Sequence, residues 1–286
     1  MSGSTQTFCG SVVALWRYPV KSMMGEELNA SEVTEGGLLG DRAYALVDSS
    51  DGKVASAKNP RKWPSLFDFR AALADVPRTG MTMPPVRITL PDGTVLSSEQ
   101  PDIHQILSTA LKRPVALDIA EGVHQAGAAS SVPEAAMAEE YWPDMEGLEH
   151  RDTVTDFGLP HGTFFDAAVM HVLTTATLDG LRVRYPEGRF EIRRFRPNVV
   201  IEAANGETSF VENAWIGHTL AIGDAVRLSV TGLCPRCVMT TLAQGDLPRD
   251  TGILRTAAQH NHANAGVYAS VLQGGEIRRG DSVRLE

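Results

Sequence analysis

Gly223-Asp224-Ala225-Val226-Arg227-Leu228 returns near the end of the chain as Gly280-Asp281-Ser282-Val283-Arg284-Leu285. Each copy is a Gly-Asp turn that feeds a strand of alternating apolar and polar residues. Glycine supplies the sharp corner, and the alternation supplies one buried face. Two such corners in one half of the chain predict a closed or nearly closed β-barrel. Their spacing is not that of a solenoid repeat.

Outward from these turns, the second half mixes element types. Residues 167–173, 198–202, 225–230, 267–272 and 282–285 read as strands. Thr174 or Thr175 caps a helix running to about Arg184, which Pro186 closes. Residues 253–258 read as a short helix. The first 120 residues are mostly short strands and turns. Residues 11–20 form an apolar strand whose regular part Pro19 ends. Residues 42–47 and 53–57 flank Ser49-Ser50-Asp51-Gly52, a hairpin signal, and 86–90 and 94–96 flank Pro91-Asp92-Gly93. Residues 101–112 carry apolar positions at helical spacing. Residues 121–140 turn alanine-rich with Gly, Ser and Pro and read as a connector, with a short helix over 135–140. The fold class is α+β and β-rich: a first domain at 8–120, a connector at 121–148 and a second, barrel domain with short helices at 149–286.

With 286 residues, 43% hydrophobic and 21% charged, the chain is globular. A net charge of −9 argues against a nucleic-acid binder. No apolar run reaches the roughly 18 residues of a membrane span, and Met1 to Thr7 lacks the order of a signal peptide. Three cysteines do not make a disulfide framework, so a cytoplasmic location is expected.

Two of those cysteines stand in Gly232-Leu233-Cys234-Pro235-Arg236-Cys237-Val238-Met239-Thr240-Thr241. Thiolates suit transition metals, and arginine's planar fork suits phosphate and other flat anions. A structural zinc site would need four protein ligands, and no second C-x-x-C is present. A redox dithiol and a pair of buried small side chains both remain open. Arg193-Arg194-Phe195-Arg196-Pro197-Asn198 is a phosphate clamp or a solvated strand end. Lys21-Ser22 after Tyr18-Pro19-Val20, and Gly40-Asp41-Arg42, are anion sites or plain turns. His171 reads as a core histidine, His260 and His262 are weak metal candidates, and Tyr268 reads as core packing. There is no Walker loop, dinucleotide fingerprint or Gly-x-Ser-x-Gly elbow.

Taken in order, Tyr18 to Ser22, Gly40 to Arg42, Leu173-Thr174-Thr175-Ala176-Thr177-Leu178, Arg194 to Asn198, Cys234 to Thr241 and Tyr268 resemble the MOSC family from about residue 8 to 286. The resemblance includes that family's N-terminal β-barrel domain and implies functional kinship with the mitochondrial amidoxime-reducing components and their bacterial counterparts. It implies a molybdenum–molybdopterin cofactor, with Cys237 as metal ligand and catalytic residue. It implies a cofactor cradle of Lys21, Ser22, Arg42, Thr174, Thr175, Arg196, Asn198, Arg236 and Tyr268. Arginine forks, hydroxyls and amides are what a doubly anionic phosphate and a flat pterin require.

The implied activity is reduction of N-oxygenated small molecules such as amidoximes, hydroxylamines and N-oxides. Electrons would come from a separate ferredoxin, flavoprotein or haem protein, since the chain holds no further cysteines for an iron–sulfur cluster. Two alternatives stand beside it: a sulfur carrier using a persulfide on Cys237 or Cys234, and a non-catalytic cofactor carrier.

Overall fold

The computed structural model describes residues 7–120, 136–144, 151–206 and 209–286. In chain order the strands of the first half are β1 (Thr7–Arg17), β2 (Glu26–Leu28), β3 (Ala30–Thr34), β4 (Gly37–Leu38), β5 (Tyr44–Asp48), β6 (Arg70–Leu73), β7 (Val86–Thr89), β8 (Val95–Ser97) and β9 (Val115–Ile119). A hairpin of β10 (Met137–Trp142) and β11 (Thr153–Gly158) follows. Then come β12 (Met170–Thr174), β13 (Val199–Ala203), β14 (Thr219–Ile222), β15 (Val226–Pro235), β16 (Asn264–Gln273), β17 (Gly275–Arg278) and β18 (Ser282–Leu285). The helices are α1 (Ile103–Leu111), α2 (Thr175–Arg184), α3 (Ile192–Phe195) and α4 (Gly252–Asn261).

Seven strands close a barrel in the order β13-β12-β16-β15-β14-β18-β1, and β1 pairs back onto β13. Neighbours are antiparallel except β12 and β13, whose parallel pairing needs the crossover that α2 supplies. Alternation along each strand turns apolar residues inward. Val12, Val172, Ile201, Leu228, Val267 and Val283 are each 1% exposed or less and fill the interior.

The two Gly-Asp turns meet in space. Gly223 and Gly280 both have left-handed backbones, φ +56° and +91°. Gly223 N donates to Ser282 O (2.9 Å), and Gly280 N donates to Val12 O (2.7 Å). A Cβ on Gly223 would lie 3.0 Å from Asp281 Oδ2. The repeat therefore stitches β14, β18 and β1 at one end of the barrel.

Three points stand apart from the sequence reading. First, β1, at the start of the 8–120 segment, pairs within the barrel ladder, while β17, late in the chain, pairs with β3. A sheet closes only where each edge finds a partner, and β1 is the partner of both β13 and β18. Second, residues 53–57 do not form the return strand of a hairpin. β5 pairs along its length with β9, leaving one bridge from Val47 to Val54. Third, the helix over 135–140 is absent at 137–140, which lie in β10 (residue 135 is outside the described residues). Alternate burial of Ala138 and Glu140 and the ladder to β11 override the helical propensity of alanine. Of the expected connector, 121–135 and 145–150 lie outside the described residues.

The first half has its own core around Trp63, Leu66, Phe67, Phe69 and Ile88. Met239 enters that core, and Cys237 and Leu242 pack against it. The chain leaving β15 thus crosses into the other half, placing Cys237 on the seam. Among the described residues no helix is long and apolar enough to cross a membrane.

Candidate functional site

The seam is built more from turns than from regular elements. After β1 the chain bends through Tyr18-Pro19-Val20-Lys21-Ser22. Tyr18 N donates to Asp41 Oδ1 (2.7 Å), and Lys21 N donates to Tyr44 O (2.8 Å). Ser22 then adopts φ +63°, and its Oγ accepts the Ala57 amide (3.0 Å). Arg42 and Arg196 are also left-handed, at φ +49° and +54°, as is Ala263 at +61°. Left-handed backbone costs about 1–3 kcal/mol at a non-glycine residue and persists only where surroundings over-determine it. Four such residues line one cavity.

That cavity has a volume of about 380 Å³. Lys21, Ser22 and Arg42 reach it from the first half, and Arg196, Asn198, Arg236, Cys237 and Tyr268 from the second. Eight of the ten expected site residues therefore share one space, although they were scattered along the sequence.

Thr174 and Thr175 are not brought to it. Thr174 Oγ1 accepts the Thr177 amide (3.1 Å) as the N-cap of α2 and donates to Glu212 Oε2 (2.6 Å). Thr177 Oγ1 donates to the other oxygen of Glu212 (2.7 Å). Burial pushes the Glu212 carboxyl up, and the two hydroxyls oppose it. Thr175 is the first residue of α2. These hydroxyls serve the helix start.

The arginine cluster also separates into three fates. Arg193 pairs with Glu191 (2.9 Å) and with Asp246 at the surface. Arg194, 0% exposed, donates to the carbonyls of Arg189, Thr240, Leu242 and Pro248 and so braces the segment after Cys237. Arg196 alone enters the cavity. Its Nη1 donates to Met23 O (2.6 Å), and its guanidinium lies 4.1 Å from the Tyr18 ring centre, with Arg42 at 4.7 Å. Burial pulls Arg196 down to about 10, and the neighbouring charge of Arg42 adds to this.

Asn198 is a positioning group. Its Oδ1 accepts the His171 amide (3.0 Å), and its Nδ2 donates to Asp41 Oδ2 (2.8 Å), which also receives Arg42. Arg236 donates through Nη1 to Cys234 Sγ (2.6 Å) and through Nη2 to Phe195 O (2.9 Å). Its Nε is buried with no partner among the described residues. Burial, with the Cys234 sulfur beside it, pushes the Tyr268 hydroxyl far up. Burial pushes the Cys237 thiol up, and Lys58 and Arg236 pull against it.

Sequence reasoning missed several lining residues: Lys58, Glu140, Trp142, Phe164, Phe165 and Asp166. Lys21 Nζ donates to Phe164 O (2.8 Å) and pairs with Asp166, and Lys58 Nζ lies 3.4 Å from both Asp166 and Glu140. Burial alone would raise Asp166, but Lys21 and Lys58 hold its carboxyl far below the usual range. Lys58 in a turn-rich stretch was one available signal. Asp166 and Glu140 carried none beyond being charged residues beside apolar ones. His171, read as a core histidine, is 6% exposed yet also lines the cavity. Burial and Arg236 push its ring down to about 3.

The site thus holds five cations, Lys21, Arg42, Lys58, Arg196 and Arg236, against two carboxylates, in a chain of net charge −9. It holds Cys237 as a half-buried thiol and one orphaned guanidinium N–H. Among the described residues no three His, Cys, Asp or Glu side chains converge to hold a metal. A metal at Cys237 must therefore bring ligands of its own. The donor set fits an anionic, sulfur-rich metal cofactor: thiolate for the metal, cations for a phosphate, and Arg236 Nε for an acceptor on the ring system.

Comparison with known proteins bears on this geometry. The family model described as the MOSC N-terminal beta barrel domain matches residues 9–116, and the MOSC domain model matches residues 160–284. The chain is 27% identical over 306 residues to mitochondrial amidoxime reducing component 2 of Macaca fascicularis, covering 96% of this chain and 83% of that protein. It is 26% identical over 305 residues to the Homo sapiens protein of the same name, with the same coverage. Among solved structures, the YUAD protein from Bacillus subtilis matches with a TM-score of 0.47 at 10% identity, over 97% of this chain and 95% of that one.

Proposed function

The chain belongs to the MOSC family, and from that premise we propose that it is a molybdenum-cofactor-dependent reductase of N-oxygenated small molecules. The observation that carries this reading is Cys237: the more accessible of two thiols on the wall of a cation-rich cavity at the seam.

In this reading Cys237 Sγ ligates the metal as a thiolate. Burial favours the protonated thiol, so metal binding must release that proton. Arg42, Arg196, Lys21 and the Ser22 hydroxyl would hold the phosphate, and Arg236 and Tyr268 would serve the ring system. The bound cofactor supplies a two-electron metal centre able to take oxygen from an N–O bond. Overall, the N–O bond breaks; an N-hydroxylated nitrogen gains an N–H bond, and an N-oxide nitrogen regains its lone pair. Two electrons from a separate redox partner and two protons carry the oxygen away as water. Lys58, Asp166 and Glu140 form a charged group on the cavity wall. The aromatic faces of Phe164, Phe165 and Trp142 exclude water around it.

The test is molybdenum per chain by elemental mass spectrometry, wild type beside Cys237→Ala, from a host that makes molybdopterin. One metal per chain in wild type and almost none in the variant is expected, with turnover of N-oxygenated compounds by the loaded wild type under a chemical electron donor. Metal absent from both proteins overturns the reading. The sulfur-carrier alternative would then rest on Cys237, since Cys234 is 1% exposed and cannot present a persulfide to a partner.

A further inference from the structure

Tyr18 stands behind the central cavity rather than in its wall. It follows β1 directly and is 1% exposed. Two of the cavity's cations nevertheless lie over its ring, the Arg196 guanidinium 4.1 Å from the ring centre and the Arg42 guanidinium 4.7 Å from it. Backbone contacts fix this arrangement on one side, where Arg42 N donates to Tyr18 O (2.9 Å). The ring is tightly seated. Trp16 stacks on it with ring centres 6.3 Å apart, and a Cβ on Gly25 would lie 2.5 Å from Tyr18 Cδ1, so only glycine leaves room for the ring there. The Tyr18 hydroxyl is buried with no hydrogen-bond partner among the described residues. Such a hydroxyl opposes folding, so the polar end of the side chain does not explain its placement.

The two arginines have little other support. Among the described residues the Arg42 side chain donates to Asp41 alone, and the Arg196 side chain donates to Met23 O alone (2.6 Å), although each guanidinium has five N–H groups. Asp41 is itself shared, accepting Tyr18 N and Asn198 Nδ2 as well. Arg196 has no carboxylate partner among the described residues and rests on ring faces, Tyr18 first and Phe67 at 5.6 Å. Burial pulls Arg196 down, and the neighbouring charge of Arg42 pulls it further. Like charges this near each other separate unless something negative faces both. The electron-rich face of an aromatic ring does so, and does it more strongly where water is excluded.

We propose that Tyr18 is the positioning residue that holds Arg42 and Arg196 together as a pair, so that the cavity is preassembled for a doubly charged anion of the phosphate-monoester class. The inference rests on the anion-binding role given to these arginines in the reductase reading. Tyr18 acts through the two guanidiniums, by the face of its ring and not by its hydroxyl. The apparent affinity for the anion is the intrinsic affinity multiplied by the fraction of chains with both arginines in place. A weaker ring face lowers that fraction.

The test is calorimetric titration of the full, metal-free chain with methyl phosphate at about pH 8, where this probe is a dianion. Position 18 carries tyrosine, phenylalanine, or phenylalanine with one, two or three ring fluorines, which keep the shape and withdraw charge from the ring face. Tyr18→Phe should bind methyl phosphate as wild type does and be no less stable to denaturant, because only an unpaired hydroxyl is lost. Along the fluorinated series the affinity should fall stepwise, by roughly tenfold at the third fluorine. A merely structural ring would give a flat series, since shape and apolar area are kept. A flat series, weaker binding in Tyr18→Phe, or no methyl phosphate binding to wild type overturns the inference. Molybdenum retained by wild type from a host that makes molybdopterin then leaves the reductase reading standing. A stepwise fall, with no molybdenum retained by wild type, supports the positioning role and overturns the reductase reading instead.

Discussion

The barrel and the cavity at its seam are made from the same strands' worth of chain by opposite rules. The barrel repeats one device, an alternating strand after a sharp turn, and buries almost only apolar side chains. The cavity repeats nothing. Most of its residues come from turns and loops, four of them with left-handed backbone, and it gathers charged groups where burial penalises them. Regularity gives the barrel stability, and irregularity, held rigid by that barrel, places functional groups. The seam can therefore lose its chemistry without losing the fold, and the barrel can lose stability without changing what the seam binds.

The strongest way to break this contrast is to exchange the two losses. Leu228→Ala opens a hole in a fully buried barrel position and should cost about 2–5 kcal/mol in denaturant unfolding. Molybdenum per folded chain should stay that of wild type. Cys237→Ala should do the reverse, abolishing metal retention while the unfolding midpoint of the metal-free protein hardly moves. A barrel variant that folds but binds no metal would erase the distinction.

Arg194 sits on the boundary between the two rules. Arg194→Met strands the carbonyls of Thr240, Leu242 and Pro248 and should cost ~3 kcal/mol in the same measurement. Because those carbonyls follow Cys237, metal retention should fall as well. Arg193→Ala, one residue away, removes only surface ion pairs and should leave both readings unchanged.

A smaller effect comes from His171, whose ring is held neutral down to about pH 3. The unfolded chain takes up that proton below about pH 6.5, so folding opposes protonation across the window between. Stability should fall as the pH drops through it, by about 2 kcal/mol from pH 6.5 to 5. The raised Glu212 carboxyl works in the opposite sense, so the informative quantity is the difference between wild type and His171→Gln. A pH profile that the substitution does not flatten would show that the ring is not held neutral.

The smallest expected change sharpens the contrast. Thr174→Ala removes the α2 cap and one hydroxyl on Glu212, and should cost about 1 kcal/mol. It should leave metal content intact. Loss of metal at unchanged stability would return Thr174 to the cofactor cradle.

Much of this was legible along the chain. The Gly-Asp repeat pointed to a barrel, and 86–97, α1, α2, α4 and β18 lie close to where periodicity and turn chemistry put them. Local signals sufficed there because a strand or helix must satisfy its own backbone within a few residues. The closure of the barrel by β1 was not legible, since its partners β13 and β18 lie at the far end of the sequence. The hairpin at 137–158 was misread because alanine favours helix locally while a cross-strand ladder decides the outcome.

By itself, then, the sequence determined a β-rich chain with sharp corners at its Gly-Asp turns, and which cations, hydroxyls and thiols are available to a site. Only the tertiary structure decided which of them face one space. Three neighbouring arginines became a surface pair, an internal brace and a cavity wall, and two threonines expected in the cradle became a helix start. The reason is directional. Where a side chain points depends on its backbone angles and on what the folded neighbours leave unsatisfied, and neither is written in the residues beside it.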